Sequence, residues 1–352
     1  MSEAAVRAAF RQQAVVCRGL DSPFTARVCE LVAERLDGSS EAGRAVLDWP
    51  GDPRAHADAL PLRLCGALHA LARAGGPTAQ AWPPNATPDD ETLWSAIYAA
   101  LEGEGGFILD WLKSPPQTNE VGRSAPVMAG LLVLADRFGL PFDLYELGSS
   151  AGLNLNLDRY SFRLGGVEAG DAGSAVRLEP GWTGAPPPVA RVGVESRQGV
   201  DLNPLDPTDP ATTTRLTAFV WADQRERLSR LEAALTIARS APPPLDAMDA
   251  ADWLEARLDP EPKPGVCRVV MHTIAFQYFP PDGQARVRTH LERVGAAATQ
   301  EAPLAWLTYE AASAPDAEGR RWAELSLTVW PGGDRRVLAR GHPHGFALDW
   351  AG

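Results

Sequence analysis

The sequence predicts an α/β protein in which a mostly parallel sheet, closed by an antiparallel C-terminal hairpin, follows a helical N-terminal domain. Three observations predict this. The first ~120 residues carry helical periodicity and no clear strand. Beyond Pro116, short strand-like runs alternate with helical stripes, and Pro331-Gly332-Gly333-Asp334 separates two strand-like runs at the tail. The expected domains are therefore residues 1–116, a helical cap, and 117–352, the sheet domain, with a β insertion near 160–190.

In the helical part, Leu62, Leu64, Ala67, Leu68 and Leu71 fall on one helix face, with Pro61 near its start and Gly75-Gly76 at its end. A second helix runs from about Asp89 through Trp94, Ile97 and Leu101. Pro83-Pro84 and Pro115-Pro116 act as stops. Ser124 reads as the N-cap of a helix carrying Met128, Leu131, Leu132, Ala135 and Phe138 and closed by Gly139. Strands are expected at Phe142 to Leu147, Gln198 to Asp201, Leu245 to Met248, Val266 to His272, Leu304 to Glu310, Glu324 to Trp330 and Arg335 to Arg340. Helical stripes at Leu216 to Leu235 and Val287 to Val294 lie between some of them. The Gly- and Pro-rich stretch from Tyr160 to Pro188 reads as a hairpin and loop over the sheet edge.

Of 352 residues, 45% are hydrophobic and 22% charged, enough apolar chain for a full core, and the net charge is −12. A protein that neutralises phosphate backbones needs a cationic face, so nucleic acid is not the expected partner. Cys17, Cys29, Cys65 and Cys267 lie far apart with no C-x-x-C pair, as expected of buried thiols in a reducing compartment. No run reaches the ~18 apolar residues of a membrane span, and the N-terminus lacks the basic and apolar regions of a signal peptide. The expectation is a cytoplasmic protein with no membrane and no nucleic acid among its partners, acting on a small molecule.

The chemistry concentrates in Glu146-Leu147-Gly148-Ser149-Ser150-Ala151-Gly152-Leu153-Asn154. A dinucleotide fingerprint, G-x-G-x-x-G, fails at two of its glycines. A nucleophile elbow, G-x-S-x-G, matches Gly148, Ser150 and Gly152 and would make a hydrolase with Asp249 and His342, but the expected upstream strands and oxyanion segment are missing. The third chemistry is S-adenosylmethionine binding. It needs an acid at the end of the first strand and then a glycine turn, E-x-G-x-x-x-G, where the backbone at Gly148 and Gly152 passes close to the ligand because no Cβ intrudes.

Further strand tips fit that third chemistry. Asp201-Leu202-Asn203 ends the second strand with a carboxylate placed for ribose hydroxyls. Asp249-Ala250 follows the third, where an aspartate can accept from an adenine amino group, although Asp249 suits a helix N-cap equally well. The cofactor-binding set is thus Glu146, Gly148, Ser150, Gly152, Asn154, Asp201, Asn203, Asp249 and Ala250.

Several segments together carry a resemblance: Ser22-Pro23, Pro61-Leu62-Arg63-Leu64, Thr118-Asn119-Glu120-Val121-Gly122-Arg123, Glu146 to Leu155, Asp158-Arg159-Tyr160, Asp201-Leu202-Asn203-Pro204 and Pro343-His344-Gly345. Over nearly its whole length the chain resembles a bacterial family known as domain of unknown function 2332, with a core similar to class I S-adenosylmethionine-dependent methyltransferases. The resemblance implies a Rossmann-like methyltransferase sheet. It would place Arg123 at the cofactor carboxylate and Asn119 and Glu120 along the substrate wall.

For catalysis, a base is needed when the methyl acceptor carries a proton. His272 is the first expectation, Glu310 the second, with Tyr278 and Gln277 shaping the acceptor pocket. His342-x-His344 lacks the cysteines or H-E-x-x-H of a zinc site, so no metal is expected. Other readings stay open: transfer or cyclisation of the cofactor's aminocarboxypropyl arm, a Ser150 hydrolase, and a cofactor-binding module without catalysis. The sequence does not fix an oligomeric state.

Overall fold

The computed structural model describes residues 2–85, 88–258, 261–312 and 322–352. Two compact units divide the chain, one of residues 1–118 with 210–229, the other of 119–209 with 230–352.

The first unit is helical: α1 (Glu3–Gly19), α2 (Pro23–Arg35), α3 (Glu41–Leu47), α4 (Leu60–Arg73), α5 (Asp90–Gly103) and α6 (Gly105–Leu112). Side-chain oxygens start three of these helices, with Ser2, Ser40 and Asp89 accepting from Ala5, Gly43 and Thr92 N–H. Phe10, Leu64, Leu68, Leu93, Ile97 and Ile108 are fully buried in its core, and Phe219 and Ala222 of the 210–229 segment join them. Asp223 ties that segment in by accepting from Ser22 Oγ and from Phe24 N–H at 2.8 Å.

The second unit opens with α7 (Ser124–Phe138) and β1 (Phe142–Leu147). The insertion follows: β2 (Ser161–Leu164) and β3 (Val167–Gly170) form a hairpin around Gly165-Gly166, and β4 (Arg177–Leu178) pairs in parallel with β2. Short β5 (Gly181–Thr183) leaves the insertion and joins the main sheet instead, a destination not anticipated from the sequence. Then come β6 (Val194–Asp201), α8 (Pro210–Ala218), which belongs to the helical unit, α9 (Arg225–Ser240) and β7 (Leu245–Ala247). They are followed by α10 (Ala250–Arg257), β8 (Cys267–Thr273), α11 (Pro281–Gly295), β9 (Leu304–Ala311), β10 (Ala323–Trp330), β11 (Asp334–Gly341) and β12 (Ala347–Trp350). The single helical stripe expected over Leu216 to Leu235 is thus two helices.

The main sheet has nine strands in the order β5-β12-β11-β10-β9-β8-β1-β6-β7. Strands β7, β6, β1, β8 and β9 are mutually parallel, while β9, β10, β11 and β12 pair antiparallel in succession. The tail hairpin forms where the Pro-Gly-Gly turn places it, with Val329 opposite Asp334. Along the chain, the parallel strands run third, second, first, fourth, fifth, so the winding reverses between β1 and β8. Open parallel sheets bind ligands outside the carboxyl ends of their strands at such a reversal.

Side-chain alternation assigns the faces. Tyr145, Leu147, Val200 and Val270 pack with Trp253, Leu254, Val287 and Leu291 of α10 and α11. The opposite face receives α7, where a side chain at Gly130 would collide with Leu307 of β9. No helix among the described residues is long and apolar enough to cross a membrane.

Candidate functional site

At the carboxyl end of β1 the chain turns sharply. Gly148 and Ser149 N–H both donate to the Val200 carbonyl, at 2.9 and 3.0 Å. Ser150 takes a left-handed conformation at φ 54°, unusual for a residue with a Cβ, and its N–H donates to Asp201 Oδ2 at 2.9 Å. Gly152 N–H returns to the Ser149 carbonyl at 2.7 Å, and Leu153 N–H reaches Asn119 Oδ1 at 2.8 Å as a 3-10 helix begins. The turn is thus held from β6 by Asp201 and from the loop before α7 by Asn119.

The structure changes the reason for the glycines. A Cβ at Gly148 would lie 2.6 Å from that of Ala275, and one at Gly152 would lie 2.6 Å from Pro243 Cγ. Protein side chains, not an open approach for a ligand, fill both spaces. Both positions also have positive φ, 69° and 67°, so two separate constraints select glycine.

Glu146 sits beneath this turn, on the α7 face of the sheet, and is 2% exposed. Ser124 does not cap α7 through its side chain. Its Oγ donates to Asn154 Oδ1 at 2.8 Å, which leaves the Asn154 amide N–H to face Glu146. Glu146 Oε2 and Ser150 Oγ are buried without a hydrogen-bond partner. Burial, reinforced by the Asp201 carboxylate, pushes Glu146 up to about 8 against the opposing influence of Asn154 and Arg123.

Arg123 approaches from the loop before α7. Its Nε donates to the Pro343 carbonyl and its Nη1 to the Thr273 carbonyl, both at 3.0 Å. The 119–123 loop crosses the 342–346 loop at backbone contact: a Cβ at Gly345 would lie 2.2 Å from the Gly122 carbonyl oxygen. Glu120 Oε1 accepts from Gly122 N–H at 3.0 Å and lies 3.9 Å from Arg230. Tyr309 Oη, from the same sheet face, donates to the His342 carbonyl at 2.7 Å.

His272 and Glu310 form a separate cluster on the opposite face, toward α11. His272 Nδ1 lies 2.7 Å from Glu310 Oε1, and Trp306 Nε1 donates to His272 Nε2 at 3.0 Å. Because the indole can only donate, Nε2 is the acceptor and Nδ1 carries the proton. The ring also stacks on Phe276 at 4.7 Å. Glu310 Oε1 accepts in addition from Ala275 and Phe276 N–H, and Oε2 has no partner. Burial raises Glu310, but His272 and the two N–H groups outweigh it and hold the carboxyl below its ordinary range.

A family model described as "Uncharacterized protein conserved in bacteria (DUF2332)" matches residues 7–350. The chain belongs to the DUF2332 family. No curated protein matches it.

The structure of this DUF2332 protein brings Arg123, Glu146, Ser150, Asn154 and Asp201 together, with Asn119 and Glu120 in the adjoining loop. It does not bring His272 to them. Both His272 ring nitrogens already have partners, Nδ1 in Glu310 and Nε2 in the Trp306 indole. Asp249 acts as the N-cap of α10, its Oδ1 accepting from Ala251 and Asp252 N–H at 2.9 and 3.1 Å, with Ala250 opening the helix. Asn203 is exposed, and its N–H donates to Asp201 Oδ1. Gln277 and Tyr278 lie on a short 3-10 turn after β8, both exposed, Tyr278 to 70%.

The Ser150, Asp249 and His342 triad is not assembled. Ser150 Oγ has no partner, Asp249 caps a helix, and His342 Nδ1 accepts from His344 N–H at 3.1 Å. Among the described residues no group of three or more His, Cys, Asp or Glu side chains is arranged to hold a metal ion. Sequence reasoning missed Trp306, although its period-two spacing from Glu310 places both on one face. It also missed Leu202 and Met248, apolar residues that stay 71% and 42% exposed at adjacent tips of β6 and β7.

Proposed function

We propose that this DUF2332 protein is an S-adenosylmethionine-dependent enzyme with a Rossmann-like, methyltransferase-type sheet that methylates a small molecule. The observation that carries the reading is Glu146. It is a fully buried carboxyl with a bare oxygen, under the turn that ends the first strand, where the winding of the sheet reverses.

The residues present fit such a cofactor. Buried polar atoms without partners are costly, and Glu146 Oε2 and Ser150 Oγ together leave two sites that a ligand can satisfy. Glu146 suits a ligand ammonium, and the Arg123 guanidinium, held by two backbone carbonyls, suits its carboxylate. Asp201 retains lone pairs beyond those it gives to Ser150 and Asn203, so it can also accept from sugar hydroxyls. Exposed Leu202 and Met248 beside it offer an apolar surface to a flat base; Met248 N–H, bonded to the Asp201 carbonyl at 3.1 Å, couples the two tips.

When bound, S-adenosylmethionine supplies an electrophilic methyl carbon on a sulfonium. The chain's own contribution is positioning: in-line displacement needs the acceptor held close and aligned, and in many cases little else. Exposed Gln277 and Tyr278 are the side chains for that task. Glu310 fixes their loop through the Ala275 and Phe276 N–H groups.

The test is calorimetric titration of the full chain with S-adenosylmethionine and S-adenosylhomocysteine, repeated on Glu146→Ala and Asp201→Ala. Micromolar binding that both variants weaken at least tenfold supports the reading. No heat and no thermal shift with either ligand overturns it. Product analysis during turnover separates methyl transfer, which leaves adenosylhomocysteine, from loss of the aminocarboxypropyl arm, which leaves methylthioadenosine.

A further inference from the structure

We propose that Glu146 is a proton-exchanging selector: neutral in the empty site, it releases its proton to solvent as it receives a cationic nitrogen of the ligand, so affinity for ammonium-bearing ligands rises with pH. The identity of the ligand rests on the cofactor reading above; the premise about Glu146 rests on its surroundings alone.

Those surroundings are specific. The titratable and charged groups facing Glu146 are Asp201 at the tip of β6, Arg123 from the loop before α7, and Tyr160 at the end of the 3-10 helix. Asp201 repels a second negative charge, and Tyr160 is itself held neutral by burial. Arg123 attracts one, but its Nε and Nη1 are directed at the Pro343 and Thr273 carbonyls. Asn154 gives Glu146 a single neutral hydrogen bond. A carboxylate at 2% exposure with one bare oxygen is far costlier than the neutral acid in the same place. Burial accordingly moves Glu146 up to about 8.

A ligand ammonium changes the balance by supplying both the missing donor and the missing charge. The O–H bond of the carboxylic acid breaks, its proton passes to buffer, and a carboxylate–ammonium pair forms; no oxidant or second reactant is involved. A nucleoside that lacks the amino-acid arm offers no such exchange. Glu146 therefore discriminates between the intact cofactor or its demethylated product and the arm-less thionucleoside.

The full chain is titrated calorimetrically with S-adenosylhomocysteine at pH 6, 7 and 8, each in two buffers of different ionisation enthalpy, and with 5′-methylthioadenosine in parallel. The expected result is close to one proton released per adenosylhomocysteine bound at pH 6 and 7. Affinity should rise about tenfold per pH unit below 8, with neither effect for methylthioadenosine. Glu146→Gln should bind adenosylhomocysteine weakly, with no proton release and a flat pH profile. Should that variant fail to fold, infrared difference spectra of the unaltered protein give the same answer: a protonated carboxyl stretch at pH 6 that vanishes on adding ligand. Binding of adenosylhomocysteine without proton release overturns this proposal and leaves the cofactor reading standing. Absence of binding by both nucleosides at every pH overturns the cofactor reading and this proposal with it.

Discussion

Trp306 donates its indole N–H to Nε2 of His272, and this one bond decides what the histidine can do. With Nε2 accepting and Nδ1 donating to Glu310, the ring is a neutral brace between β8 and β9. Glu310 passes the restraint on to Ala275 and Phe276. Ala275 in turn fills the space beside Gly148, so the brace reaches the glycine turn from the opposite face of the sheet.

His272→Ala should therefore behave as a stability variant. It leaves the Trp306 N–H and Glu310 Oε1 short of a buried partner and removes a stacked ring, a loss of about 2–4 kcal/mol. Urea unfolding should show that loss, while ligand affinity in the folded fraction changes by less than about threefold. Unchanged stability with abolished turnover would make the histidine a base after all.

Glu146 sets a pH dependence of the ligand-free protein. Its folded value of about 8 lies above the ordinary 4.5, so between them the folded state holds a proton that the unfolded chain has released. The stability it contributes is complete below pH 4.5 and is lost as pH rises through 8. Relative to Glu146→Gln, the unaltered protein should lose about 3–5 kcal/mol across that window. Denaturant midpoints of both proteins at pH 5, 7 and 9 measure the difference, and parallel profiles would refute the assignment.

Gly345 tests the loop crossing. At φ 76° it already occupies backbone space that an L side chain rarely adopts, and its Cβ would meet the Gly122 carbonyl oxygen at 2.2 Å. Gly345→Ala forces the 119–123 and 342–346 loops apart and with them Arg123, which bonds to the Pro343 carbonyl. A stability loss above about 3 kcal/mol is expected. Adenosylhomocysteine affinity should fall with it, as calorimetry of the folded protein can show; a silent substitution would mean that the crossing is not held.

The parallel strands, the tail hairpin and the glycine turn were legible because each depends on local pattern: alternation, a Pro-Gly-Gly turn, or an acid followed by glycines. Long-range choices were not. Nothing local tells Gly181–Thr183 to pair with Ala347–Trp350, two short strands more than 160 residues apart in sequence. The pairing of Gly122 and Arg123 with Pro343 to Gly345 is visible in the sequence only as two motifs. The contact between Gly122 and Gly345, which explains both, needs the fold. Position at strand tips marks His272 and Glu310 as candidates in the sequence, yet alternation puts them on the face away from Glu146. The indole that occupies His272 lies 34 residues away in sequence.

Asp201 and Asp249 separate structure from binding. Asp249 is a helix cap, and Asp249→Ala should cost about 1 kcal/mol in unfolding free energy with ligand affinity little changed. Asp201 has three duties: its Oδ2 holds the Ser150 N–H in a strained turn, its Oδ1 accepts from the Asn203 N–H, and in the proposed function its remaining lone pairs accept from the ribose hydroxyls. Asp201→Asn keeps an acceptor for Ser150 through its single carbonyl oxygen but loses the charge and the acceptor for the exposed Asn203 N–H, which turns to water. Stability should fall by roughly 1 kcal/mol, whereas S-adenosylhomocysteine should bind at least tenfold more weakly, because hydrogen bonds to a charged acceptor contribute about 1.5–3 kcal/mol. Paired calorimetry and urea melts on the two variants read both quantities. Equal affinity losses at Asp201 and Asp249 would show that neither tip touches the ligand directly and that both act by loosening the rim.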